Sequence, residues 1–474
     1  MNKLHTNNNI ILASDSYKAS HFLQYPEGTT YLHAYLESRG GRLGYTKFFG
    51  LQYILMKYLA KGVTAEDVEE ARELFTAHGV PFNYDGWMYI VKELGGKIPL
   101  YIRAVPEGTV VPNHNVLMTV ESTDPNVPWV VGWFESLLLQ VWYPISVSTN
   151  SYSIKKVILD FFRKTDSEDV VQANIGFKLH DFGLRGVSSQ ESAELGGMAH
   201  LTNFLGTDTV PVLVAAKRYY DEPMAGFSIP AAEHSTITSW GRENEVEAYR
   251  NMLHKFNKPG AIVAVVSDSY DLFKAVENLW GEVLKDEVVA GGGTIVIRPD
   301  SGEPVTVVLK TMRLLDEKFG STVNEKGYKV LNNVRVIQGD GINEDSIYRI
   351  LKAITEDGFS VQNIAFGMGG ALLQGVNRDT NAFAYKTSAI QVNGEMRDVF
   401  KDPVTDLGKR SKKGVLELIS YESTAGRVYE TARRSDLDRD LTNENLDKLL
   451  VLKGVFLNGE VYTKGTTLSN IRAR

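Results

Sequence analysis

Four short apolar runs in the second half of the chain, each ending abruptly in polar or glycine residues, constrain its fold more than any other feature. They occupy residues 262–266, 294–297, 334–337 and 364–366. Runs of this length, rich in β-branched side chains and bounded by turn residues, are typical of strands buried on both faces of a sheet. Each gap between them is long enough for a helix. The pattern therefore predicts repeated β-α units in a parallel α/β sheet or barrel.

Charged residues follow the first three runs closely, where ligand-binding residues gather in parallel α/β folds. They are Asp268, Arg298, Asp300 and Asp340. Three carboxylates and a guanidinium at successive strand ends predict convergence on polar ligand groups, such as ribose hydroxyls or Mg²⁺. The alternative is that each aspartate only caps the helix that follows it.

A glycine turn, Gly367-Met368-Gly369-Gly370, follows the fourth run and precedes a helix-forming segment. Such a turn can bind phosphate through free backbone N–H groups, although this one lacks the Gly-Lys-Ser/Thr of a P-loop and is not a full dinucleotide fingerprint. Basic residues come after it, and they suggest a second anionic group: Arg378, Lys386, Lys401, Lys409, Lys412 and Lys413. For residues 409–413, a solvated basic loop is the alternative.

Two segments upstream of the four runs carry further candidates. Phe182 and Arg185 lie in a stretch dense in glycine and serine, and such a pair can form one wall of a flat heteroaromatic site. A core phenylalanine beside a surface arginine is the alternative. Asp208 stands in a glycine turn at a predicted strand edge, where a simple Asx turn is the alternative.

His234 follows Glu233 and is surrounded by hydroxyl-bearing and small residues. A histidine in this setting can act as a titrating base, a metal ligand or a phosphate acceptor. No second histidine stands at a metal-ligand spacing, which disfavours the metal site. A structural histidine that is simply hydrogen-bonded remains the alternative.

The composition excludes several classes of protein. The chain has 474 residues, 43% of them hydrophobic, which is enough for two structural regions. A net charge of −7 argues against a general nucleic-acid or anionic-membrane binder. Because there is no cysteine, disulfides, thiolate metal sites and cysteine nucleophiles are excluded, and a reducing compartment is favoured.

The chain lacks the marks of export or membrane insertion, so we expect a soluble cytoplasmic protein. Residues 1–9 are polar and contain no apolar signal-peptide core. The most apolar stretch, residues 129–147, is interrupted by Glu135 and Pro144, so a buried or interface helix is expected there.

The composition also changes along the chain and predicts three regions. Residues 1–177 are expected to form an N-terminal α+β region, and residues 178–380 a (β/α) barrel-like catalytic region. Residues 381–474 are expected to pack with the N-terminal region.

Several longer motifs together resemble one known family, the nicotinamide phosphoribosyltransferases of the type II phosphoribosyltransferase family, in a bacterial or phage-type form. The most specific motifs are His180-Asp181-Phe182-Gly183, Gly206-Thr207-Asp208-Thr209-Val210, Pro230-Ala231-Ala232-Glu233-His234-Ser235-Thr236, Ile297-Arg298-Pro299-Asp300-Ser301-Gly302 and Gln338-Gly339-Asp340-Gly341. The similarity runs nearly end to end, from Asp15-Ser16-Tyr17-Lys18 to the basic segment that ends at Gly414.

The resemblance implies an irregular (β/α) barrel with an added β-rich α+β domain built from both ends of the chain. It also implies a homodimer with active sites shared between subunits. The implied reaction transfers 5-phosphoribosyl from phosphoribosyl pyrophosphate to nicotinamide, with Mg²⁺, and is stimulated by ATP through a phosphohistidine.

The resemblance further assigns roles to residues. Phe182 and Tyr17 of the partner subunit would sandwich the pyridine ring. The carboxamide would be surrounded by Asp208, Arg185 and Arg298, and the ribose hydroxyls would be held by Asp300, Gly339 and Asp340. A phosphate would lie near Gly369, Gly370 and Arg378. The phosphate or pyrophosphate would also be bound, partly across the dimer interface, by Arg39, Lys386 and Lys401. His234 would accept the phosphoryl group, and Asp268 would lie beside it.

Three features depart from the family pattern. Ala264 stands where a serine is often found in the substrate tunnel, Met368 interrupts the glycine run, and Ala371 shortens it. The rival functions are a nicotinate phosphoribosyltransferase, a barrel aldolase or isomerase acting on sugar phosphates, and a non-catalytic nucleotide-binding relative. The aldolase is disfavoured because none of the four runs ends in a Schiff-base lysine.

Overall fold

The computed structural model describes residues 9–405, 410–424, 426–440, 443–463 and 465–474. The chain forms two compact units. The first unit combines the N-terminal part up to Thr149, residues 218–222, and the C-terminal part from Asn377. The second unit comprises residues 150–217 and 223–376.

The strands, in chain order, are β1 (Thr29–Ser38), β2 (Tyr45–Lys47), β3 (Leu100–Ala104), β4 (Val110–Pro112), β5 (Val116–Ser122), β6 (Leu179–Asp181), β7 (Gly206–Thr207), β8 (Ile262–Val266), β9 (Thr294–Arg298), β10 (Ser321–Val323), β11 (Lys329–Leu331), β12 (Val334–Gln338), β13 (Ile364–Met368), β14 (Phe383–Val392), β15 (Glu395–Asp398), β16 (Leu416–Ser423), β17 (Gly426–Arg433), β18 (Lys453–Leu457) and β19 (Glu460–Val461).

The α-helices are α1 (Leu51–Lys57), α2 (Ala65–His78), α3 (Tyr84–Glu93), α4 (Val130–Trp133), α5 (Glu135–Leu139), α6 (Trp142–Thr165), α7 (Glu168–Asn174), α8 (Gln190–Leu201), α9 (Val210–Tyr219), α10 (His234–Thr238), α11 (Glu245–Phe256), α12 (Leu272–Lys274), α13 (Lys285–Gly291), α14 (Pro304–Phe319), α15 (Glu344–Glu356), α16 (Gly370–Leu373), α17 (Arg434–Asp440), α18 (Asn443–Leu449) and α19 (Leu468–Arg472). A π-helix spans Ala275–Val283, and short 3₁₀ turns span Ile10–Leu12, Ser16–Leu23, Leu59–Lys61, Ile175–Phe177, Leu184–Gly186, Arg242–Asn244, Val361–Asn363 and Arg378–Thr380.

The first unit is built on a seven-stranded antiparallel sheet in the order β15-β14-β1-β5-β3-β18-β19. β1, rich in aromatic and apolar residues, lies at its centre between β14 and β5. Four of these strands, β14, β15, β18 and β19, come from the C-terminal part of the chain. The prediction that both ends of the chain build one β-rich region is therefore confirmed.

The second unit contains a parallel sheet in the order β7-β6-β13-β12-β9-β8. Residues 227–232 join its two edge strands, because the Thr207 N–H donates to the Phe227 carbonyl at 3.0 Å and the Ala232 N–H donates to the Ala264 carbonyl at 2.9 Å. Pro230, which has no N–H, keeps this segment from pairing as a regular strand. The sheet is thus closed into an irregular barrel, as predicted.

The four apolar runs correspond to β8, β9, β12 and β13, so the predicted β-α repeat is confirmed. Helices α14 and α15 connect β9 to β12 and β12 to β13. α14 carries Pro304 in its first turn, and α15 is capped by the Asn343 side chain, which accepts the Ser346 N–H at 3.0 Å. The carboxyl ends of the parallel strands therefore lie at one rim, where Asp268, Asp300 and Asp340 follow them.

Two predictions differ from the structure. The second unit begins at Asn150 and ends at Val376, whereas we predicted boundaries after residues 177 and 380, because most of the long helix α6 belongs to the second unit. Residues 129–147 form α4, α5 and the start of α6 instead of one helix, since Phe134 leaves helical geometry between the first two. The helices of the described residues include none with the length and hydropathy of a membrane span.

Candidate active site

A cavity of about 530 Å³ opens at the carboxyl-end rim of the barrel in the second unit. Nine of the predicted site residues line it: Phe182, Arg185, Asp208, Arg298, Asp300, Gly339, Asp340, Gly369 and Gly370. They come from five different strand ends, which are distant in sequence. The structure thus brings together the aromatic wall, the carboxylates and the glycine turn, although the role of each residue remains a prediction.

Phe182 forms the aromatic wall directly after β6. Its N–H donates to the Met368 carbonyl at 3.0 Å, and its ring lies against Gly367 of β13. A Cβ at Gly367 would overlap Phe182 Cε2 and Cδ2 and would lie 2.8 Å from Cζ. Only glycine therefore leaves room for the ring in this position.

An apolar cluster of Ala264, Val296 and Ile337 supports the same ring, and Phe182 and Ile229 pack against it. Ala264, one of the three departures noted in the sequence, is buried in this cluster. The side chains packed against the Phe182 ring at this position are therefore apolar.

Arg298 connects the aromatic wall to the carboxylates. Its guanidinium carbon lies 5.7 Å from the centre of the Phe182 ring, within the range of a cation–π contact. Its Nη2 donates to Asp300 Oδ1 at 3.0 Å and its Nε does so at 3.3 Å. Both side chains are partly exposed to the cavity, so each can contact a ligand as well as its partner.

Asp208 is held at the other side of the cavity by two contacts. Its backbone N–H donates to the Asp181 carbonyl at 3.0 Å, and the Ser228 hydroxyl donates to its carboxylate. The residue is exposed. Its carboxylate can therefore accept an N–H from a ligand while Ser228 fixes its orientation.

His234 and Asp268 form a pair beside the cavity. His234 Nε2 lies 2.9 Å from Asp268 Oδ1, and its Nδ1 lies 4.0 Å from Asp300 Oδ2. The histidine side chain is 48% exposed, whereas the Asp268 side chain is only 5% exposed. Asp268 also accepts the Asp300 N–H at 3.1 Å and the Ser301 hydroxyl at 2.5 Å, so its carboxylate is fixed in place.

The turn after β12 carries Gly339 and Asp340. The Gln338 amide donates to the Asp340 carbonyl at 2.9 Å, which fixes the turn from below. Asp340 itself is exposed. The glycine turn after β13 opens the short helix α16, and Gly369 and Gly370 both reach the cavity.

Four of the predicted phosphate-binding cations belong to the first unit. Arg39, Arg378, Lys386 and Lys401 line a separate cavity of about 420 Å³ in the first unit. Arg39 donates to Glu37 at 2.6 Å, and Arg378 pairs with Asp379 at 3.1 Å. Burial and the neighbouring cations lower the pKa of Lys386. Arg378 thus groups with the other cations of this cavity, whereas Gly369 and Gly370, which we expected beside it, belong to the second unit.

Two more predicted residues bear on this basic region. Tyr17, expected to act from a partner subunit, is 60% exposed in the first unit, and its ring meets His21 edge-on at 4.9 Å. Lys409 lies outside the described residues. Lys412 is described, and its ammonium group pairs with Glu37. The alternative of a wholly solvated basic loop therefore does not apply to Lys412.

Sequence reasoning missed several residues of the site. Leu184 and Thr209 line the cavity, and Asp181, Ser228 and Gly367 support it. All five lie in or beside motifs that the sequence analysis identified, so their closeness to these motifs in the sequence could have identified them. Their contacts depend on strands that meet only in the fold, which a sequence does not show.

Among the described residues, no group of three or more histidine, aspartate or glutamate side chains is arranged to hold a metal ion. Asp300 and Asp340 nevertheless offer oxygen ligands in one cavity. This donor set fits Mg²⁺ that arrives with phosphate groups, because Mg²⁺ keeps several waters and needs only one or two protein carboxylates.

Comparisons with known proteins are consistent across the chain. Residues 177–457 match the model of the nicotinate phosphoribosyltransferase (NAPRTase) family, and residues 9–102 match the model described as nicotinamide phosphoribosyltransferase, N-terminal domain. A nicotinamide phosphoribosyltransferase of Xanthomonas campestris pv. campestris is 55% identical over 99% of this chain and 98% of its own length. One of Acinetobacter baylyi is 32% identical over 98% of this chain and 97% of its own.

Solved structures show the same fold at low sequence identity. Nicotinate-nucleotide pyrophosphorylase from Pyrococcus furiosus aligns with a TM-score of 0.60 at 14% identity, covering 100% of this chain and 97% of its own. Human nicotinic acid phosphoribosyltransferase aligns with a TM-score of 0.54 at 16% identity, covering 97% of this chain and 92% of its own.

Proposed function

Because the chain belongs to the nicotinate phosphoribosyltransferase family, we propose that it transfers 5-phosphoribosyl from phosphoribosyl pyrophosphate to nicotinamide. The products are nicotinamide mononucleotide and pyrophosphate, a step of NAD salvage. One observation carries the proposal: the aromatic side chain of Phe182 and the carboxylates of Asp208, Asp300 and Asp340 line a single cavity. The names of the relatives that match nearly the full chain support it.

The base binds against Phe182, whose ring offers a flat apolar surface to a pyridine ring. The carboxamide N–H₂ donates to Asp208, and its oxygen accepts from Arg185 and Arg298. These contacts use both the donor and the acceptor group of the carboxamide. They also direct the ring nitrogen toward the part of the cavity that contains Asp300 and Asp340.

The ribose hydroxyls donate to Asp300 and Asp340, and the 5-phosphate lies at the glycine turn. When the bond from C1 to pyrophosphate breaks, positive charge develops on the ribose ring, and the neighbouring carboxylates stabilise it. The ring nitrogen of nicotinamide then forms the new C–N bond with its free lone pair. No proton has to be removed, so positioning and electrostatics supply most of the catalysis.

Mg²⁺ enters with phosphoribosyl pyrophosphate as part of the substrate, and Asp300 and Asp340 are the carboxylates that would hold it. When bound, the ion neutralises charge on the pyrophosphate oxygens and makes pyrophosphate a better leaving group.

Asp208 decides between the two related bases. A carboxylate accepts the N–H₂ of nicotinamide but repels the carboxylate of nicotinate. Polar discrimination of this kind can reach on the order of 10⁴-fold. The preferred base is therefore nicotinamide, and nicotinate phosphoribosyltransfer is the alternative that the same feature disfavours.

ATP stimulates the reaction through His234. Because the Asp268 carboxylate only accepts hydrogen bonds, Nε2 carries the proton and Nδ1 keeps the lone pair. Nδ1 attacks the γ-phosphorus of ATP, so that an N–P bond forms and the bond to ADP breaks. Water later hydrolyses the phosphohistidine to phosphate. The exposure of the imidazole is what makes it accessible to ATP.

The protein acts as a homodimer in the reducing cytoplasm, with Tyr17 of the partner subunit on the free face of the base. Exposed apolar residues support an interface, since Tyr17 and Leu23 of the first unit and Val210 and Val214 of the second are each more than half exposed. The absence of cysteine fits a reducing compartment.

A product assay tests the function. Purified protein is incubated with nicotinamide, phosphoribosyl pyrophosphate and Mg²⁺, with and without ATP, and the products are identified by mass spectrometry. Equal amounts of nicotinamide mononucleotide and pyrophosphate are expected, at a higher rate with ATP. If the Phe182→Ala variant matches the wild-type rate at limiting nicotinamide, the cavity is not the site.

A further inference from the structure

Asp181 lies directly beneath the cavity, at the end of β6, and its side chain is completely buried. One of its carboxylate oxygens, Oδ1, accepts the Gly183 N–H at 2.7 Å. The other, Oδ2, accepts the Thr207 hydroxyl at 3.3 Å. The two oxygens of one side chain are thus bound to two different segments of the cavity wall.

These two segments carry the two groups that recognise the base. Gly183 follows Phe182, the aromatic wall, and Thr207 precedes Asp208, the amide-binding carboxylate. The Thr207 hydroxyl also accepts the Thr209 N–H at 3.1 Å, so it fixes the backbone on both sides of Asp208. The Asp181 side chain therefore links the aromatic wall to the carboxylate through three hydrogen bonds, and its backbone carbonyl also accepts the Asp208 N–H at 3.0 Å.

The surroundings leave little room for Asp181 to move. A Cβ at Gly183 would lie 3.0 Å from Oδ1, and one at Gly197 of α8 would lie 3.1 Å from Oδ2. Burial, aided by the charge of Asp208, raises the pKa of the Asp181 carboxyl. A side chain that is fixed by packing and by hydrogen bonds on both sides can hold two segments of the cavity wall at a constant distance.

We infer that Asp181 is a positioning residue that sets the spacing between Phe182 and Asp208 and thereby the selectivity for the base. It touches neither the substrate nor the reacting atoms. This inference rests on the proposed function, because it assigns Asp181 to the nicotinamide end of the cavity and not to the ribose end.

Steady-state kinetics of three variants test it, with KM measured separately for nicotinamide and for phosphoribosyl pyrophosphate. Asp181→Ala should raise KM for nicotinamide at least about tenfold, leave KM for phosphoribosyl pyrophosphate within about threefold, and reduce the preference for nicotinamide over nicotinate about tenfold. Asp181→Asn keeps an acceptor for Gly183 and a polar partner for Thr207. It should stay within about threefold of wild type in all three quantities.

Thr207→Val separates the two branches, because it removes only the side-chain link from Asp181 to the segment of Asp208. It should reduce base preference while leaving the Gly183 contact intact. Thr311→Val is the matched control: Thr311 is also fully buried in the second unit, and its hydroxyl has no hydrogen-bond partner among the described residues. This control should change neither KM nor preference.

The outcomes distinguish a failure of the inference about Asp181 from a failure of the proposed function. If wild type transfers to nicotinamide but Asp181→Ala raises both KM values equally or keeps the base preference, Asp181 is only structural and the inference is wrong. An Asp181→Asn variant as impaired as Asp181→Ala would also overturn it. If Asp181→Ala does not fold, an unchanged preference in Thr207→Val overturns it. Absence of transfer in wild type removes the proposed function itself and the inference with it.

Discussion

Fixed pairs of side chains determine what single residues can do in this cavity. Asp300 is paired with Arg298, Asp208 with Ser228, and His234 with Asp268. In each pair one member is oriented by the other and remains partly or fully exposed. The orientation is therefore present before any ligand binds, which lowers the entropy that binding has to offset.

Replacing His234 by alanine should abolish both ATP hydrolysis and the stimulation by ATP, because no other group at this place offers a nucleophilic nitrogen. Basal transfer without ATP should persist, since the cavity that binds the base and ribose is unchanged. The measurement compares phosphate release and mononucleotide formation with and without ATP.

His254→Ala is the matched control for that variant. His254 is an exposed histidine of α11 that also faces a carboxylate, with Nε2 3.4 Å from Glu287. It should keep full ATP coupling. Undiminished ATP stimulation in His234→Ala would exclude the phosphoacceptor role.

At the scale of elements, the barrel strands bring the site together by close packing as well as by direction. Gly367 of β13 is the clearest case, because the Phe182 ring occupies the space that a side chain at this position would fill. The aromatic wall therefore depends on a residue that contacts no substrate.

Gly367→Ala should displace the Phe182 ring and raise KM for nicotinamide at least about tenfold, since a well-packed interior cannot absorb an overlapping methyl group without movement. The thermal midpoint should also fall. In the double variant Gly367→Ala, Phe182→Ala, the midpoint should recover because the overlap is gone, whereas base binding should not. A wild-type KM for nicotinamide in Gly367→Ala would show that Gly367 does not determine the position of the Phe182 ring.

A second element-scale prediction concerns the turn at Glu107 in the first unit. Its Oε1 accepts the N–H groups of Gly50 and Gln52 at the start of α1, and burial raises its pKa to about 7. Between pH 4.5 and 7 the folded chain thus binds more protons at this group than the unfolded chain does. The free energy of unfolding should therefore fall as pH rises through this window, by up to roughly 3 kcal/mol.

Urea unfolding of wild type and Glu107→Gln from pH 5 to 8 measures this effect. The variant cannot ionise, so the stability difference between wild type and variant should decrease steadily toward pH 8. Glu73→Gln, which changes an exposed carboxyl on α2 of the same unit, should show no such trend. A pH-independent difference for Glu107→Gln would contradict the raised pKa.

Elements were predictable from sequence where local pattern determines them. The β-branched runs became β8, β9, β12 and β13. Residues 227–232 were not recognised as the segment that closes the barrel, because Pro230 and the small residues around it carry no strand pattern. The packing of Phe182 against Gly367 and the hydrogen bonds of the Asp181 side chain were also not predictable, since they join residues of different strands.

For the whole molecule, the sequence indicated that the ends of the chain pack together, and the seven-stranded sheet shows how. It did not show that the cations and the glycine turn belong to different units. Arg378 follows Gly370 closely in sequence, yet it belongs to the first unit and Gly370 to the second. The residues proposed for phosphate binding are therefore divided between the two units.

The proposed homodimer with shared active sites predicts complementation between two inactive variants. Tyr17→Ala and Phe182→Ala should each be nearly inactive alone. In mixed dimers one site contains both intact rings, so co-expression should restore about a quarter of wild-type activity at random pairing. Activity no greater than the sum of the separate variants would contradict a base sandwiched between subunits.

The most direct test of the whole account is a competition between the two bases. Wild-type protein is given equimolar nicotinamide and nicotinate with limiting phosphoribosyl pyrophosphate and Mg²⁺, and both mononucleotides are quantified by mass spectrometry. With Asp208 facing the base, nicotinamide mononucleotide should exceed nicotinate mononucleotide by at least about a hundredfold. A predominance of nicotinate mononucleotide would contradict the assignment.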